Sequence, residues 1–431
     1  MPSTSAAIPG SGSRPAANKP RRILFVDDDE LILRSIERVL RRPAAENGWE
    51  LCFATNGEEA LQEMARQPVD VLLVDANMTQ MSGATLLRRV QERDPSVVRL
   101  LLSGHTGLDV LRSALPFAHQ FLPKPCDGTL LRSTLESACN VRSLLSKPEM
   151  RHLVGSSNEL PSGPRTFIEL SNALSNPSSS VRAVSEIIER DIAISARVLQ
   201  LVSSAFYGLP RAVTTIGGAV AYLGVEVIKA IVLSVEVSRM FPTTQSISDF
   251  SVDALQQHGM KVSQFAKRIL GPEPGGDVLL VAGLLQDTGQ LVLASRSPSR
   301  FGIALSTSLN RKHPLYEVEL DMFGASHAEI GAYLLGLWGL PQRVVSAVAY
   351  HLEPQRSGSR VFDAAAALYV ANLLVVDPDV PALEEVPANT VALDLAFLRM
   401  AGVAHQLDEW RRLARAFGPT KSQSPKLAAR A

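Results

Sequence analysis

The sequence contains little cysteine and no excess of charge of either sign. Its three cysteines in 431 residues, Cys52, Cys126 and Cys139, have spacings that fit neither a disulfide framework nor a zinc knuckle. Unpaired cysteines are typical of a reducing compartment, so we expect a cytoplasmic protein. Lys and Arg total 43, as do Asp and Glu, and the formal net charge is zero. This balance argues against nucleic acid as a partner, because nucleic-acid-binding domains carry basic patches.

Long hydrophobic runs are also scarce. The apolar stretch from Val225 to Val237 contains three charged residues, and Ala364–Val376 is too short to cross a bilayer comfortably. We therefore expect no membrane insertion. Residues 1–20 are rich in Pro, Ser, Ala and Gly and lack the apolar core of a signal peptide, which predicts a disordered tail.

Residues 21–141 alternate short apolar runs with segments of helical periodicity. Five such pairs follow one another, and the run VDVLLVD is apolar enough for a strand that is buried on both faces. This order predicts an α/β domain with a doubly wound, five-stranded parallel sheet. The functional site of such a sheet lies at the carboxyl ends of its strands.

The remainder of the chain has a different pattern. Residues 142–157 are rich in Ser, Pro and Gly and predict a linker. From residue 158 to 356 the apolar residues follow helical spacing and strand alternation is absent, so the second domain is predicted to be all-α. Residues 357–431 are interpreted as a helical extension with a basic tail.

Polar side chains end four of the five predicted strands. They are Asp27 and Asp28 after the first strand, Asp75 after the third, Ser103 after the fourth and Lys124 after the fifth. Clustered carboxylates repel one another unless a cation joins them, and oxygen ligands suit Mg²⁺. A carboxylate beside such an ion can act as a phosphoryl nucleophile. Any one of these residues could be a simple helix cap, but the whole set at matching strand ends favours a shared site.

The region from residue 22 to 140 closely resembles the receiver domains of two-component response regulators. The resemblance implies that Asp75 is the phosphorylated residue. It implies a Mg²⁺ site made of Asp27, Asp28, Asp75 and the backbone carbonyl of Asn77. No organic cofactor is expected.

The same resemblance assigns contacts with the phosphoryl group to Ser103 and Lys124. Phe121 stands where such domains carry a switch aromatic, and a plain core phenylalanine is the competing interpretation. Two positions depart from the family pattern, since Thr79 stands where Pro is frequent and Gly104 where Ala is frequent. Neither departure removes a catalytic atom.

The segment from residue 160 to 354 resembles the HDOD domain, an all-α relative of the HD phosphohydrolases. The resemblance is carried by ERDIAISARVLQLVSSAFYGLP, TTIGGAVAYLGVEVIKAIVLS, AGLLQDTGQLVL and SHAEIGAYLLGLWGLPQRVVSAVAYH. Catalytic HD enzymes hold metal through a His, an adjacent His-Asp pair and a distal Asp. These positions align with His258, with Gln286 and Asp287, and with Asn372. Because amides are poor ligands for transition metals, we expect neither a transition metal nor phosphohydrolase activity here.

A residual metal site is the alternative. His327 and His351 stand where the HD-GYP relatives, which cleave cyclic-di-GMP, have ligands, and together with His258 and Asp287 they would hold one ion. No Gly-Tyr-Pro signature follows the GLLQDTG motif. The second functional hypothesis is therefore a metal-dependent phosphohydrolase or cyclic-di-GMP phosphodiesterase of the HD type, and nucleic-acid binding is a weaker third.

The first functional hypothesis is a phosphorelay response regulator without enzymatic output. A sensor histidine kinase would phosphorylate Asp75, and the change would reach the face formed by the fourth helix, fifth strand and fifth helix through Phe121. The HDOD domain would then bind other signalling proteins, or the protein would form a homodimer.

Overall fold

In the computed structural model, the N-terminal part of the chain is a parallel sheet flanked by helices. The strands are Arg21–Val26 (β1), Trp49–Ala54 (β2), Val71–Asp75 (β3), Val98–Ser103 (β4) and Gln120–Pro123 (β5). The helices are Glu30–Asn47 (α1), Gly57–Arg66 (α2), Gly83–Arg93 (α3) and Gly128–Leu144 (α4). The strand order is β2-β1-β3-β4-β5, and every neighbouring pair is parallel. The predicted doubly wound sheet is confirmed.

The structure describes residues 20–103, 114, 117–145, 150, 154, 165–174, 180–191, 194–195, 198–199, 215–241, 247–271 and 276–417. The predicted N-terminal tail, most of the predicted linker and the basic C-terminal tail lie outside these residues. So do Gly104 and, apart from Ala114, the helix predicted over residues 108–115.

The burial of the central strand follows from its apolar sequence. Every residue of β3 is buried, as its apolar sequence predicts for a strand covered by helices on both faces. Polar residues at the strand ends start the helices that follow. The side chain of Asp29 accepts the N–H of Leu31 at 2.8 Å, and Asn56 accepts the N–H of Glu59 at 2.9 Å. The strand-to-helix turns at the carboxyl edge are thereby fixed.

The second part of the chain is helical, as predicted. Its first helices are Arg165–Leu174 (α5), Val181–Glu189 (α6), Ile216–Leu223 (α7), Val225–Met240 (α8), Val252–Leu270 (α9), Gly276–Leu285 (α10) and Thr288–Arg296 (α11). They are followed by Pro298–Arg311 (α12), Leu315–Phe323 (α13), His327–Leu337 (α14), Gln342–Tyr350 (α15), Ala364–Val376 (α16), Leu395–Met400 (α17) and Leu407–Phe417 (α18). Short 3₁₀ turns lie at Pro354–Ser357 and Ala404–Gln406.

The predicted C-terminal extension is partly integral to the helical domain. Nearly all of α16 is buried, and it packs against α9. Two strands of two residues each, Ala382–Leu383 and Leu393–Asp394, pair in parallel within the extension. The sequence did not predict them, because two residues are too few to show strand alternation.

One apolar stretch in the described part of the chain has the length and hydropathy of a membrane span. It is Val278–Arg296, and 78% of its most apolar window is buried inside the protein. The stretch consists of α10 and α11, separated at Gln286 and Asp287. Burial of this degree is typical of core helices.

The sheet domain and the helical domain share one buried apolar cluster. At their junction α4 packs against α14. A Cβ added at Gly336 of α14 would lie 2.1 Å from Cγ2 of Val141 on α4, so glycine permits this close approach. The two domains therefore meet through a tight helix–helix contact.

Candidate functional site

Three carboxylates meet at the carboxyl edge of the sheet. Asp27 and Asp28 follow β1, and Asp75 is the last residue of β3. One oxygen from each lies within 4.8 Å of the others. Asp27 and Asp75 are buried, with 2% and 6% exposure, whereas Asp28 is exposed. The structure thus brings the three predicted acids together in a cluster that opens to solvent on one side.

Lys124 places a positive charge inside this cluster. Its Nζ lies 2.6 Å from Asp27 Oδ2 and 2.8 Å from Asp75 Oδ1. Burial alone would lower the pKa of Lys124, but hydrogen bonds to both carboxylates raise it above its ordinary value. Burial also raises the pKa of Asp27, and Lys124 opposes that effect. The lysine is held as a cation where an anion attached to Asp75 can meet it.

The other predicted residues surround the same edge. Ser103 ends β4 and is half-buried, and Asn77 is exposed in the loop after β3. The backbone N–H of Thr79 in that loop donates to Asp28 Oδ2 at 2.9 Å. The loop is therefore tied to the carboxylates, with Asn77 close to them along the chain.

The residues of this cluster fit a magnesium ion. Asp27, Asp28 and Asp75 offer hard oxygen ligands, and Lys124 alone does not balance three ionised carboxylates. These acids would hold the ion, which would neutralise charge on a transferred phosphoryl group.

Sequence reasoning missed Gly83, the first residue of α3. A Cβ there would lie 2.3 Å from the carbonyl oxygen of Asp75, so only glycine allows the helix to start at this point. The available signal was the Ser-Gly pair at the helix start, since Ser82 caps α3. Gly83 supports the backbone that carries Asp75.

Strand β5 connects the carboxylate cluster to the helical domain. Lys124 follows its last residue, whereas Gln120 is its first. Gln120 Nε2 donates to the carbonyl oxygens of Gly336 and Leu337, at 3.0 and 3.2 Å. These carbonyls belong to the last turn of α14, where the regular helical pattern ends, and that of Gly336 also accepts the N–H of Gly339 at 3.0 Å. Gln120 therefore helps to cap a helix of the other domain.

Phe121 lies beside a cavity at the domain junction. The cavity measures about 390 Å³, and its lining includes Phe121 on the sheet side and Phe167, Lys229 and Trp338 on the helical side. The Phe121 ring is half-buried. The ring thus borders open space on one side and packs against a buried apolar cluster on the other, and both interpretations of Phe121 stay open.

A buried cation lies on β4 close to this junction. The Arg99 guanidinium donates to three backbone carbonyls, those of Pro95, Val97 and Phe117. Burial lowers the pKa of Arg99 to about 10. Nδ1 of His119 accepts the backbone N–H of Arg99 at 3.0 Å. Burial, and then the charge of Arg99, hold the pKa of His119 well below its ordinary value.

The helical domain contains a second cluster of polar side chains, and two paired side-chain amides occupy part of it. Asn372 and Gln286 form a reciprocal amide pair, with N···O distances of 2.8 and 3.2 Å. His258 Nε2 lies 3.0 Å from Asn372 Oδ1. Gln286 and Asn372 are buried, at 0% and 3% exposure. Three of the four positions that resemble metal ligands of HD enzymes are thus joined by hydrogen bonds.

The other part of the cluster contains two imidazoles. His327 Nδ1 lies 2.6 Å from Glu319 Oε2, and His351 Nδ1 lies 2.7 Å from the carbonyl oxygen of Val348. Since both neighbours are acceptors, each Nδ1 carries the proton. Burial, followed by the effect of His327, lowers the pKa of His351 to about 4. Sequence reasoning missed Glu319, which is 0% exposed and precedes the histidine by eight residues.

Asp287 stands between the two parts of this second cluster. Its Oδ1 accepts Gln290 Nε2 at 3.0 Å, and its Oδ2 lies 3.4 Å from Gln286 Nε2. The adjacent cavity measures only about 10 Å³, and its lining includes His258 and His351. The structure groups His327 and His351 with Asp287 by donor-atom distance, and it does not include His258 in that group.

Family models match both domains of the chain. The model of the response regulator receiver domain matches residues 23–136, and the model of the HDOD domain matches residues 160–354. Asn372 lies beyond the second match, on α16, although it completes the buried amide network.

Individual relatives match one domain each. An uncharacterised protein of Treponema pallidum (strain Nichols) is 27% identical over 199 residues, which are 45% of this chain and 38% of the relative. The DNA-binding transcriptional regulator NtrC of Escherichia coli (strain K12) is 37% identical over 108 residues, 25% of this chain and 22% of the relative. The chain thus spans well under half of the length of these curated relatives.

A solved structure matches the N-terminal domain over almost its whole length. It is the signal receiver domain of an HD domain-containing protein from Pseudomonas fluorescens Pf-5, with 32% sequence identity. The match covers 29% of this chain and 98% of the solved one, with a TM-score of 0.27.

The sheet topology, the carboxylate–lysine cluster and the matched models define the N-terminal domain as a receiver domain. The chain thus combines an N-terminal response regulator receiver domain with a C-terminal HDOD domain. Receiver domains generally bind Mg²⁺ and accept a phosphoryl group from a histidine kinase or another phosphodonor.

Proposed function

We propose that phosphorylation of Asp75 controls the contact between the receiver domain and the HDOD domain, and that the HDOD domain is a non-catalytic interaction module. The observation that carries this proposal is the position of β5. One end of the strand adjoins Lys124 in the carboxylate cluster, and the other end donates hydrogen bonds to α14.

The first step is phosphoryl transfer to Asp75. Its carboxylate oxygen forms a bond to the phosphorus of a phosphohistidine on the kinase, and the P–N bond breaks as the proton returns to the imidazole. Asp27, Asp28 and Asp75 would hold the Mg²⁺ that neutralises the transferred group. Lys124, which now bridges Asp27 and Asp75, pairs with the new dianion, and the Ser103 hydroxyl donates to one of its oxygens.

The second step carries the change along β5. When Lys124 follows the phosphoryl group, β5 shifts with it and Phe121 moves relative to the cavity at the junction. Gln120 then loses its hydrogen bonds to Gly336 and Leu337. Their loss removes a polar contact between β5 and the last turn of α14, which favours separation of the two domains.

The absence of enzymatic output is supported by the buried cluster of the HDOD domain. Ligand sites for small molecules measure roughly 300–1,000 Å³, whereas the cavity beside Asp287 measures about 10 Å³. Gln286 and Asn372 fill ligand positions with paired amides. A second cavity of about 270 Å³ reaches His351 and Asn372, but its lining does not include Asp287.

The partners follow from the two domains. A sensor histidine kinase in the cytoplasm supplies the phosphoryl group, and other signalling proteins, or a second copy of the chain, bind the HDOD surface that the receiver releases. Nucleic acid is not among them, because the formal net charge of the chain is zero.

A pair of experiments tests the proposal. In native cells, pull-downs with the wild-type chain and with Asp75→Asn should recover different partners, because the variant keeps the shape of the side chain but accepts no phosphoryl group. Identical partner sets would contradict phosphorylation control. Separately, incubation with cyclic-di-GMP and nucleotides plus Mn²⁺ or Fe²⁺ should give no turnover. Turnover that Asp287→Ala abolishes would identify the HDOD domain as an enzyme.

A further inference from the structure

We propose that Asp287, His327 and His351 bind one divalent transition metal ion in the core of the HDOD domain. The proposal reverses the expectation drawn from Gln286 and Asn372, because three other side chains bring donor atoms together, although Gln286 Nε2 lies 3.4 Å from Asp287 Oδ2. It does not depend on the proposed control by phosphorylation.

The donor atoms have the spacing of a shared ion. One donor atom each from Asp287, His327 and His351 can be chosen so that all three lie within 4.8 Å of one another. His327 Nε2 lies 3.6 Å from Asp287 Oδ1. Bonds of 2.0–2.2 Å to a tetrahedral ion place two ligand atoms about 3.4 Å apart. Small side-chain adjustments therefore suffice for coordination.

The tautomers of both histidines are those of metal ligands. Each Nδ1–H is taken by an acceptor, Glu319 for His327 and the Val348 carbonyl for His351, so in the neutral ring the lone pair is on Nε2. Among the described residues, Nε2 of His351 has no hydrogen-bond partner although it is fully buried. A carboxylate or a backbone carbonyl behind a ligand histidine is the usual support of a metal site.

The negative charge of the buried carboxylates also favours a bound cation. Glu319 is 0% exposed and Asp287 is 8% exposed. Within the described ranges, neither carboxylate forms an ion pair with Lys or Arg, and histidine is the partner of both. Buried carboxylates are costly unless they are paired or coordinated. With both histidines neutral, a divalent ion balances the two negative charges.

The burial and the small adjacent cavity favour a metal ion that stabilises the fold. His258 is held by Asn372 at 3.0 Å and lies outside the group of three donors. The adjacent cavity of about 10 Å³ has room for roughly one water molecule as a fourth ligand. Two imidazoles and one carboxylate suit Zn²⁺, Fe²⁺ or Mn²⁺. The ion would join α11, α14 and the end of α15, whose residues supply or adjoin the ligands.

Metal analysis of the untagged full chain tests the site. We expect about one equivalent of Zn, Fe or Mn in the purified protein, and after chelation we expect Co²⁺ to bind with visible absorption bands of a nitrogen–oxygen site. Asp287→Asn and His351→Gln should each remove the ion. His258→Gln is the matched control, since it changes a histidine of the same cavity, and it should retain the ion. Asp75→Asn should also retain it.

A second measurement remains decisive if a ligand variant fails to fold. In the wild-type chain, Zn²⁺ should raise the melting temperature of the chelated protein. In the support variant Glu319→Gln, affinity for Zn²⁺ should fall by about 10- to 100-fold while the fold is kept. If the wild-type chain contains no transition metal and Co²⁺ and Zn²⁺ change neither absorption nor melting temperature, the cluster is a buried ion-pair network and the proposal is wrong. Loss of the ion in His258→Gln would likewise contradict the three-ligand site.

Discussion

The two domains each contain a cluster of acidic and basic side chains, and the clusters differ in their access to solvent. In the receiver domain, Asp28 is exposed and Lys124 neutralises part of the charge from one side. In the HDOD domain, Asp287, His327 and His351 are all buried. The open cluster of the receiver domain is accessible to a phosphodonor, whereas the sealed cluster of the HDOD domain is enclosed by the protein. This difference agrees with the proposals that phosphoryl transfer occurs in the receiver domain and that the buried cluster has a structural role.

The largest expected effect tests the open cluster. Asp75→Asn should abolish phosphorylation by a small phosphodonor such as acetyl phosphate, because an amide is no nucleophile for this transfer. Phosphate-affinity electrophoresis measures the modified fraction. Asp29→Asn is the matched control, since asparagine also caps α1 and the acid lies outside the cluster. Persistent labelling of Asp75→Asn would place the acceptor elsewhere.

The next largest effect tests whether the hydrogen bonds of the sealed cluster stabilise the fold. Asn372→Leu removes the partner of Gln286 and of His258 in a buried place. We expect the free energy of unfolding to fall by about 3 kcal/mol, since a buried polar group left unsatisfied costs roughly 1–3 kcal/mol. Denaturant unfolding measures it. His258→Gln keeps a donor toward Asn372 and should cost much less; equal losses would show that the amide network has no special role.

A smaller effect tests whether the two clusters are mechanically connected. Helix α14 begins at His327 in the sealed cluster and ends beside α4 of the receiver. Gly336→Ala places a methyl group against Val141, which should cost about 1–2 kcal/mol of unfolding free energy. In the double variant with Val141→Ala most of this loss should be recovered. A loss that persists in full would mean that the contact with α4 is not the cause.

The smallest expected effect concerns pH and the buried histidine of the receiver. The pKa of His119 is lowered by burial and by Arg99, so the unfolded chain binds a proton before the folded one does. Stability should therefore fall as the pH drops below about 6.5, the ordinary pKa of histidine. His119→Gln should flatten this dependence, measured as the shift of the urea midpoint between about pH 7.5 and about pH 5.5. An unchanged slope would show that other groups cause the acid sensitivity.

The receiver fold could be predicted from the sequence because its signals are local. Apolar runs gave the strands, and the polar residues directly after them gave the cluster, since parallel strands bring their carboxyl ends to one edge. Gly83 was missed although a Ser-Gly pair marks it, because the requirement for glycine comes from the carbonyl oxygen of Asp75.

The members of the HDOD cluster were named from the resemblance, apart from Glu319, but their pairing and the contacts at the junction could not be predicted, because the contacts are distant in sequence. His258 and Asn372 are 114 residues apart, and Gln286 and Asn372 are 86 apart. Gln120 and Gly336 are separated by 216 residues. The local sequence pattern does not distinguish His258, which is hydrogen-bonded to the amide of Asn372, from His327, whose Nε2 faces Asp287. The amides at two ligand positions therefore led to a prediction of no metal ion. In three dimensions, however, Asp287, His327 and His351 lie close together.

Hydrogen–deuterium exchange of the full chain, with and without acetyl phosphate, tests the central claim most directly. The account predicts that phosphorylation raises exchange in two segments, β5 around Gln120 and the end of α14 around Gly336, because loss of the Gln120 contact separates the domains and exposes backbone amides on both sides. Asp75→Asn should show no change in either segment. Equal exchange in the phosphorylated and unphosphorylated wild-type protein would contradict control of the HDOD domain through this contact.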